Sequence, residues 1–170
     1  IGMGYDEYRQ LAYLYPSKGT RLHVYDRSGE QITTLDLPNE ETDHFDMEVA
    51  IQSFNMNAEV IPQGSIIAIH SDAGNTTIYA LEPVHGSVFA KLVPTSNKHL
   101  VVGGTYNTKT NSFFLLQVDS SAAGEHAVIE VHAQTGSLLD TFSLTSAEYS
   151  FSIGLGDIAS DPITGNLYVV

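Results

Sequence analysis

Three stretches of this chain repeat one short pattern, and that repeat restricts the possible folds more than any other feature. Each stretch is an alternating strand, a polar turn with a glycine, and a second strand: RLHVYDRSGEQITTLDL (21–37), TIYALEPVHGSVFAKLV (77–93) and VIEVHAQTGSLLDTFSL (128–144). Gly29, Gly86 and Gly136 occupy the same place in the three copies. Tight hairpin turns favour a positive φ, which glycine adopts without steric cost. The repeat therefore predicts three β-hairpins of one kind.

Two further strands are predicted before each hairpin, so the repeating unit has four strands. The strand next to the hairpin is LAYLYP (11–16), SIIAIHSD (65–72) or SFFLLQVD (112–119). The strand before that one is IGMGY (1–5), EVAIQSF (48–54) or HLVVGGTY (99–106). The unit recurs about every fifty residues, which is the spacing of β-propeller blades. The sequence therefore predicts an all-β fold, a β-propeller with four-stranded antiparallel blades.

The predicted blades span residues 1–38, 47–94 and 98–145, and residues 151–170 give the first two strands of a fourth. We therefore expect an incomplete ring, a fragment of about three and a half blades whose remaining blades belong to a longer chain. A β-sandwich is the alternative, because it also has many short strands joined by glycine turns.

Alternation within the predicted strands identifies a set of apolar side chains that should lie buried between neighbouring sheets. The set consists of Leu22, Val24, Leu35, Ile67, Ile69, Ile78, Ala80, Leu92, Phe114, Leu116, Ile129, Val131 and Phe142.

The segment DPITGNLYVV (161–170) resembles the Asp-Pro-x-Thr-Gly-x-Leu-Tyr-Val phrase of NHL-type and gluconolactonase-like six-bladed propellers. The hairpins resemble the second half of such blades. This resemblance implies that the loops between blades, and those between second and third strands, share one face that usually binds ligands. In this chain that face would include the loops at 38–47, 95–98 and 146–152, together with those at 16–20, 71–76 and 119–126.

Composition excludes some classes of partner. The formal net charge is −13, with 7 Lys+Arg against 20 Asp+Glu, so neither nucleic acid nor an anionic membrane is an expected partner. No apolar run approaches the length that crosses a bilayer, so membrane insertion is not expected. The absence of cysteine rules out disulfides and thiolate metal sites within these residues.

Four acidic residues in two regions of the chain are candidates for metal binding. In the loop NEETDHFDME (39–48), Asp43, Asp46 and Glu48 can supply the oxygen ligands that Ca²⁺ prefers, although a solvated acidic loop explains them as well. The resemblance to gluconolactonase-like propellers implies that Asp157, in a first strand near the axis, contributes to a divalent-metal site used in hydrolysis. A strand-end hydrogen-bond acceptor is the other interpretation of Asp157.

These observations favour an extracellular or cell-surface propeller module that acts in recognition or structural assembly, with Ca²⁺ as the one expected cofactor. Its partner would be a protein or carbohydrate ligand on the loop face, or the other blades of a longer chain. The alternative is a metal-dependent propeller hydrolase of lactonase or phytase type, so enzymatic activity stays open at this stage.

Overall fold

The computed structural model describes residues 2–16, 20–38, 44–72, 74–95, 99–118, 126–144 and 156–170. Within these ranges the regular secondary structure consists of strands alone. The described part of the chain accordingly contains no helix with the length and apolarity needed to span a bilayer. The prediction of an all-β protein is confirmed.

Three four-stranded antiparallel sheets follow one another along the chain, and each pairs its strands in chain order. The first contains β1 (Gly2–Asp6), β2 (Leu11–Tyr15), β3 (Arg21–Tyr25) and β4 (Gln31–Asp36). The second contains β5 (His44–Val49), β8 (Ile66–Asp72), β9 (Asn75–Leu81) and β10 (Val88–Leu92). Between β5 and β8 the chain forms a separate hairpin of β6 (Phe54–Met56) and β7 (Glu59–Ile61). The third contains β11 (Leu100–Asn107), β12 (Ser112–Val118), β13 (His126–His132) and β14 (Leu138–Ser143). A last antiparallel pair is β15 (Ile158–Ser160) with β16 (Leu167–Val169).

The repeated hairpins end in the predicted glycine turns. Gly29, Gly86 and Gly136 have φ of 84°, 75° and 70°. A Cβ on Gly136 would lie 2.7 Å from the carbonyl oxygen of Val93 in the preceding unit, whereas a Cβ on Gly29 would meet no atom within 4 Å. Gly136 is therefore required both by its turn and by the neighbouring unit.

The sheets stack face to face in chain order, and the core lies between them. One cluster joins the first and second sheets, through side chains such as Tyr13, Leu22 and Tyr79. A second cluster joins the second and third sheets, and a third, around Phe114 and Ile158, joins the third sheet to the last pair. The first strands β1, β5, β11 and β15 lie side by side in one row. This arrangement is compatible with the blades of a propeller.

Twelve of the thirteen predicted core side chains are buried. Phe142 is the exception and is 42% exposed, so that prediction is wrong. It pairs with Val128 on the face of the third sheet that packs on Ile158. In the described residues that face is covered by two short strands near β11 and β12, which leaves β14 largely open to solvent.

The first strand of the second sheet lies earlier than predicted. The sequence pattern placed it at residues 48–54, but β5 spans His44–Val49 and the polypeptide then makes the additional β6–β7 hairpin. This hairpin inserts Phe54, Met56 and Ile61 between the second and third sheets. The excursion between β5 and β8 is much longer than the turns joining β1 to β2 and β11 to β12, and it forms one wall of a surface groove described below.

Candidate functional site

Asp46 and Glu48 fasten β5 to its neighbour β11 in the row of first strands. They stand two residues apart on β5, so both side chains project from the same face. Asp46 Oδ2 accepts a 2.7 Å hydrogen bond from the N–H of Gly104, and Glu48 Oε1 accepts one of 2.5 Å from the N–H of Tyr106. β11 is an edge strand of the third sheet. The two carboxyl groups thus accept hydrogen bonds from N–H groups that have no strand partner on that side.

Glu48 also begins a chain of hydroxyl contacts that reaches the last strand pair. Thr105 Oγ1 donates to Glu48 Oε2 at 3.0 Å and lies 3.1 Å from Ser160 Oγ. The hydroxyl of Ser160 donates to the carbonyl oxygen of Tyr106 at 2.9 Å. These contacts join β5, β11 and β15 through side chains where no sheet ladder connects them.

Asp157 completes a group of three carboxyls at this junction. Its Cα lies 2.8 Å from where a Cβ on Gly103 would stand, so a glycine in β11 allows this close approach. Burial raises the pKa of Asp46 to about 6, and the negative charge of Asp157 adds to the increase. Burial raises the pKa of Glu48 to about 8, against the opposing hydrogen bonds from Tyr106 and Thr105.

The structure thus brings together three of the four residues that the sequence nominated for metal binding: Asp46, Glu48 and Asp157. The fourth, Asp43 of the acidic loop, lies outside the described residues. Among the residues described, no three or more His, Asp or Glu side chains have an arrangement that can hold a metal ion. A carboxyl with a raised pKa is also a weaker cation ligand, because it must lose its proton to bind.

A groove of about 750 Å³ lies at the end of the sheets that carries the β1–β2 turn. One wall is formed by residues 5–10, and the other by residues 49–51 and 63–64, with Arg27 of the β3–β4 turn at its border. Tyr8 is 84% exposed, Tyr5 is 50% exposed and Ile51 is 54% exposed. The groove therefore presents two aromatic rings and an apolar side chain to solvent.

Asp6 fixes the first wall of the groove. It is buried at the end of β1, and its Oδ1 accepts hydrogen bonds from the backbone N–H of Tyr8 at 2.9 Å and of Arg9 at 3.0 Å. Its Oδ2 accepts a 2.7 Å charge-assisted hydrogen bond from the Arg9 guanidinium. These three hydrogen bonds to Asp6 stabilise the turn that carries Tyr8.

Arg9 connects this wall to the other one. Its Nη1 donates to the carbonyl oxygen of Gly64 at 3.3 Å. Gly64 has a φ of 81°, and a Cβ there would collide with the guanidinium of Arg9. The N–H of Gly64 donates in turn to the carbonyl oxygen of Ala50 at 2.7 Å. Hydrogen bonds within the protein itself thus join the two walls of the groove.

Sequence reasoning missed this groove. It assigned ligand binding to the opposite face, and much of that face lies outside the described residues, including residues 39–43, 96–98 and 146–152. One signal was present: the segment 50–65 is far longer than the turns at 7–10 and 108–111, which occupy the same place in the other units. An insertion at a fixed place in a repeat commonly builds a binding surface.

Two comparisons with known proteins found no relative of this chain. A scan of protein-family models and a search of curated proteins each give no match for the chain.

Proposed function

We propose that this chain is part of a β-propeller-type protein and acts as a recognition module, in an extracellular or cell-surface setting. The stacking of four-stranded sheets, with their first strands in one row, supports the propeller assignment. The acidic composition suits a saline exterior and supports the proposed setting.

The groove between the β1–β2 turn and residues 49–64 is the observation that carries the proposed function. Its volume of about 750 Å³ falls in the range of small-molecule and short-polymer sites. Its walls are held by the contacts of Asp6, Arg9 and Gly64, so little ordering would be needed on binding. Exposed tyrosines such as Tyr8 supply large contact areas at small entropic cost.

A metal-dependent hydrolase is the second candidate, and the gathering of Asp46, Glu48 and Asp157 favours it. In this alternative the cluster would bind Ca²⁺ and activate water or a phosphate ester. Against it, no three or more His, Asp or Glu side chains of the described residues are arranged to hold a metal ion. Oxygens of all three side chains also already accept hydrogen bonds from backbone N–H groups. These hydrogen bonds account for the cluster as a link between strands.

Fluorine NMR of chain labelled with 3-fluorotyrosine distinguishes the two candidates, because nine tyrosines report on separate regions. The chain is titrated with soluble oligosaccharides and with short peptides, and each signal is assigned by a Tyr→Phe substitution. Recognition in the groove predicts that at least one ligand class shifts the Tyr5 and Tyr8 signals.

The hydrolase candidate is tested by measuring the release of phosphate from phytate and the ring opening of lactones, each with and without Ca²⁺. Turnover that requires Ca²⁺ and is lost in Asp157→Asn, with no ligand-induced shift at Tyr5 or Tyr8, would replace the recognition proposal by the hydrolase.

A further inference from the structure

We propose that the ligand of the groove is a neutral oligosaccharide, an inference that rests on the recognition function proposed above. The groove is the one described above, and the lining side chains most important for ligand choice are Tyr5, Tyr8, Gln10, Arg27, Ile51 and Gln63. Three properties of these residues lead to this ligand class: exposed ring faces, mixed hydrogen-bonding groups and balanced charge.

The exposed tyrosines match the apolar side of a sugar ring. Tyr8 is 84% exposed on a turn whose backbone is fixed by Asp6, so the ring has no part in the core. Tyr5 is 50% exposed on β1, three residues earlier. A pyranose ring has a face of C–H groups that packs on an aromatic ring, while its hydroxyls point sideways to polar neighbours. Two such rings in one groove can contact successive sugar units.

The polar groups of the groove match the hydroxyls of a sugar. A hydroxyl both donates and accepts hydrogen bonds, and a side-chain amide does the same. Gln10 and Gln63 supply two amides. Gln10 Nε2 donates to the carbonyl oxygen of Glu7 at 2.5 Å, which orients the amide on the wall of the groove.

Charge balance argues for a neutral ligand. Asp6, which lines the groove, forms a 2.7 Å ion pair with Arg9. The other two charged side chains of the lining, Glu7 and Arg27, have opposite signs. A phosphate or an acidic polysaccharide would be repelled by a chain with a net charge of −13, and the groove offers it only the Arg27 guanidinium at its border. A neutral polyol meets no such repulsion.

The walls of the groove also disfavour an extended peptide. They consist mostly of turns, and they take only Tyr5 and Asp6 from the edge strand β1 and Val49 from the edge strand β5. These strand ends are too short for a peptide to add as a further strand. If peptides bound in the groove, the oligosaccharide proposal would be wrong while the recognition function would stand.

The test uses cello-, xylo-, manno-, malto- and chito-oligosaccharides, with calorimetry for affinity and 3-fluorotyrosine NMR for location. We expect at least one series to bind and to shift the Tyr5 and Tyr8 signals. Tyr8→Ala should weaken that binding about tenfold or more, and Tyr8→Phe should keep most of it because the ring face remains. Tyr168→Ala is the matched control, since Tyr168 is 58% exposed on β16, away from the groove. Thermal unfolding checks that each variant stays folded.

Three results would overturn the inference. Binding that Tyr8→Ala and Tyr168→Ala reduce equally would place the sugar elsewhere. Shifts of Tyr5 and Tyr8 by peptides alone would reject the sugar while leaving the recognition function intact. Failure of every oligosaccharide and every peptide to shift either signal would reject both proposals.

Discussion

Replacing Glu48 by Gln should stabilise the protein at neutral and alkaline pH and remove part of its pH dependence. The pKa of Glu48 is about 8 in the folded chain against an ordinary value of 4.5, because burial disfavours the carboxylate. The stabilisation from this group is complete below pH 4.5 and is lost as the pH rises through 8. Glutamine has the shape and hydrogen-bonding capacity of the protonated acid, so Glu48→Gln keeps the favourable state at every pH.

Two other groups set the pH window for the measurement. The pKa of Asp46 is raised from 3.8 to about 6. The stabilisation from Asp46 is therefore also lost as the pH rises, but at lower pH than that from Glu48. Burial lowers the pKa of His70 from 6.5 to about 4, so His70 contributes stability above pH 6.5 that is lost as the pH falls through 4. Of these three groups, Glu48 alone changes its contribution between pH 6.5 and 8.

The expected size follows from linkage. One proton taken up by the folded state and not by the unfolded state changes the free energy of unfolding by about 1.4 kcal/mol per pH unit. The interval from pH 6.5 to 8 therefore corresponds to a loss of about 2 kcal/mol for the wild-type chain. Glu48 is half-buried and lines a small pocket of about 80 Å³, so we expect about 1–2 kcal/mol after allowance for solvent.

Urea unfolding followed by far-UV circular dichroism at the two ends of this window measures the effect. Glu59→Gln is the matched control, because Glu59 is exposed on β7. The wild-type chain and Glu59→Gln should lose stability in parallel, and Glu48→Gln should lose much less. Equal slopes for all three proteins would refute the argument that the folded state holds a proton on Glu48.

Three further substitutions test the packing and the turns described above. Gly136→Ala should lower the free energy of unfolding by about 2–4 kcal/mol, because the new Cβ collides with Val93 and the φ is unfavourable. Gly29→Ala should lower it by about 1 kcal/mol, from the φ alone. Equal losses of stability in urea unfolding would contradict this difference. Ala58→Gly should stabilise the β6–β7 hairpin by about 0.5–1 kcal/mol, because Ala58 has a φ of 66° after an Asn at 46°, and a lower melting temperature would show the reverse. Asp6→Asn should cost about 2 kcal/mol and broaden the fluorine signal of Tyr8 as the turn loosens, whereas an unchanged signal would mean that the ion pair does not hold the wall.

The hairpins and four-stranded sheets could be predicted because their signals are local. Alternation with period two identifies a strand, and Gly29 or Gly136 identifies its turn, without knowledge of distant residues. β5 was harder, because Asp46 and Glu48 make residues 44–49 look like a polar loop. Their strand forms by pairing with β8, and their carboxyl groups are accommodated by N–H groups of β11, which lies far away in sequence.

The groove and the exposure of Phe142 depended on tertiary packing for the same reason. The β6–β7 turn contains Asn57 and Ala58 but no glycine, so the usual hairpin signal was missing. Phe142 lies on the correct alternating face, and its exposure depends on which strands of the next unit cover that face. Asp157 and Asp46 were predicted as metal ligands on separate grounds, and the sequence did not place them together. They meet because β5, β11 and β15 are adjacent in the fold.

We propose that ligand recognition takes place in the groove and not at the carboxyl cluster of Asp46, Glu48 and Asp157. Calorimetric titration of Tyr8→Ala and Asp157→Asn with the same ligand tests this assignment most directly, because each substitution affects one of the two places. We predict that Tyr8→Ala weakens binding about tenfold or more while Asp157→Asn binds as the wild-type chain does. Binding that is lost in Asp157→Asn and retained in Tyr8→Ala would contradict the assignment.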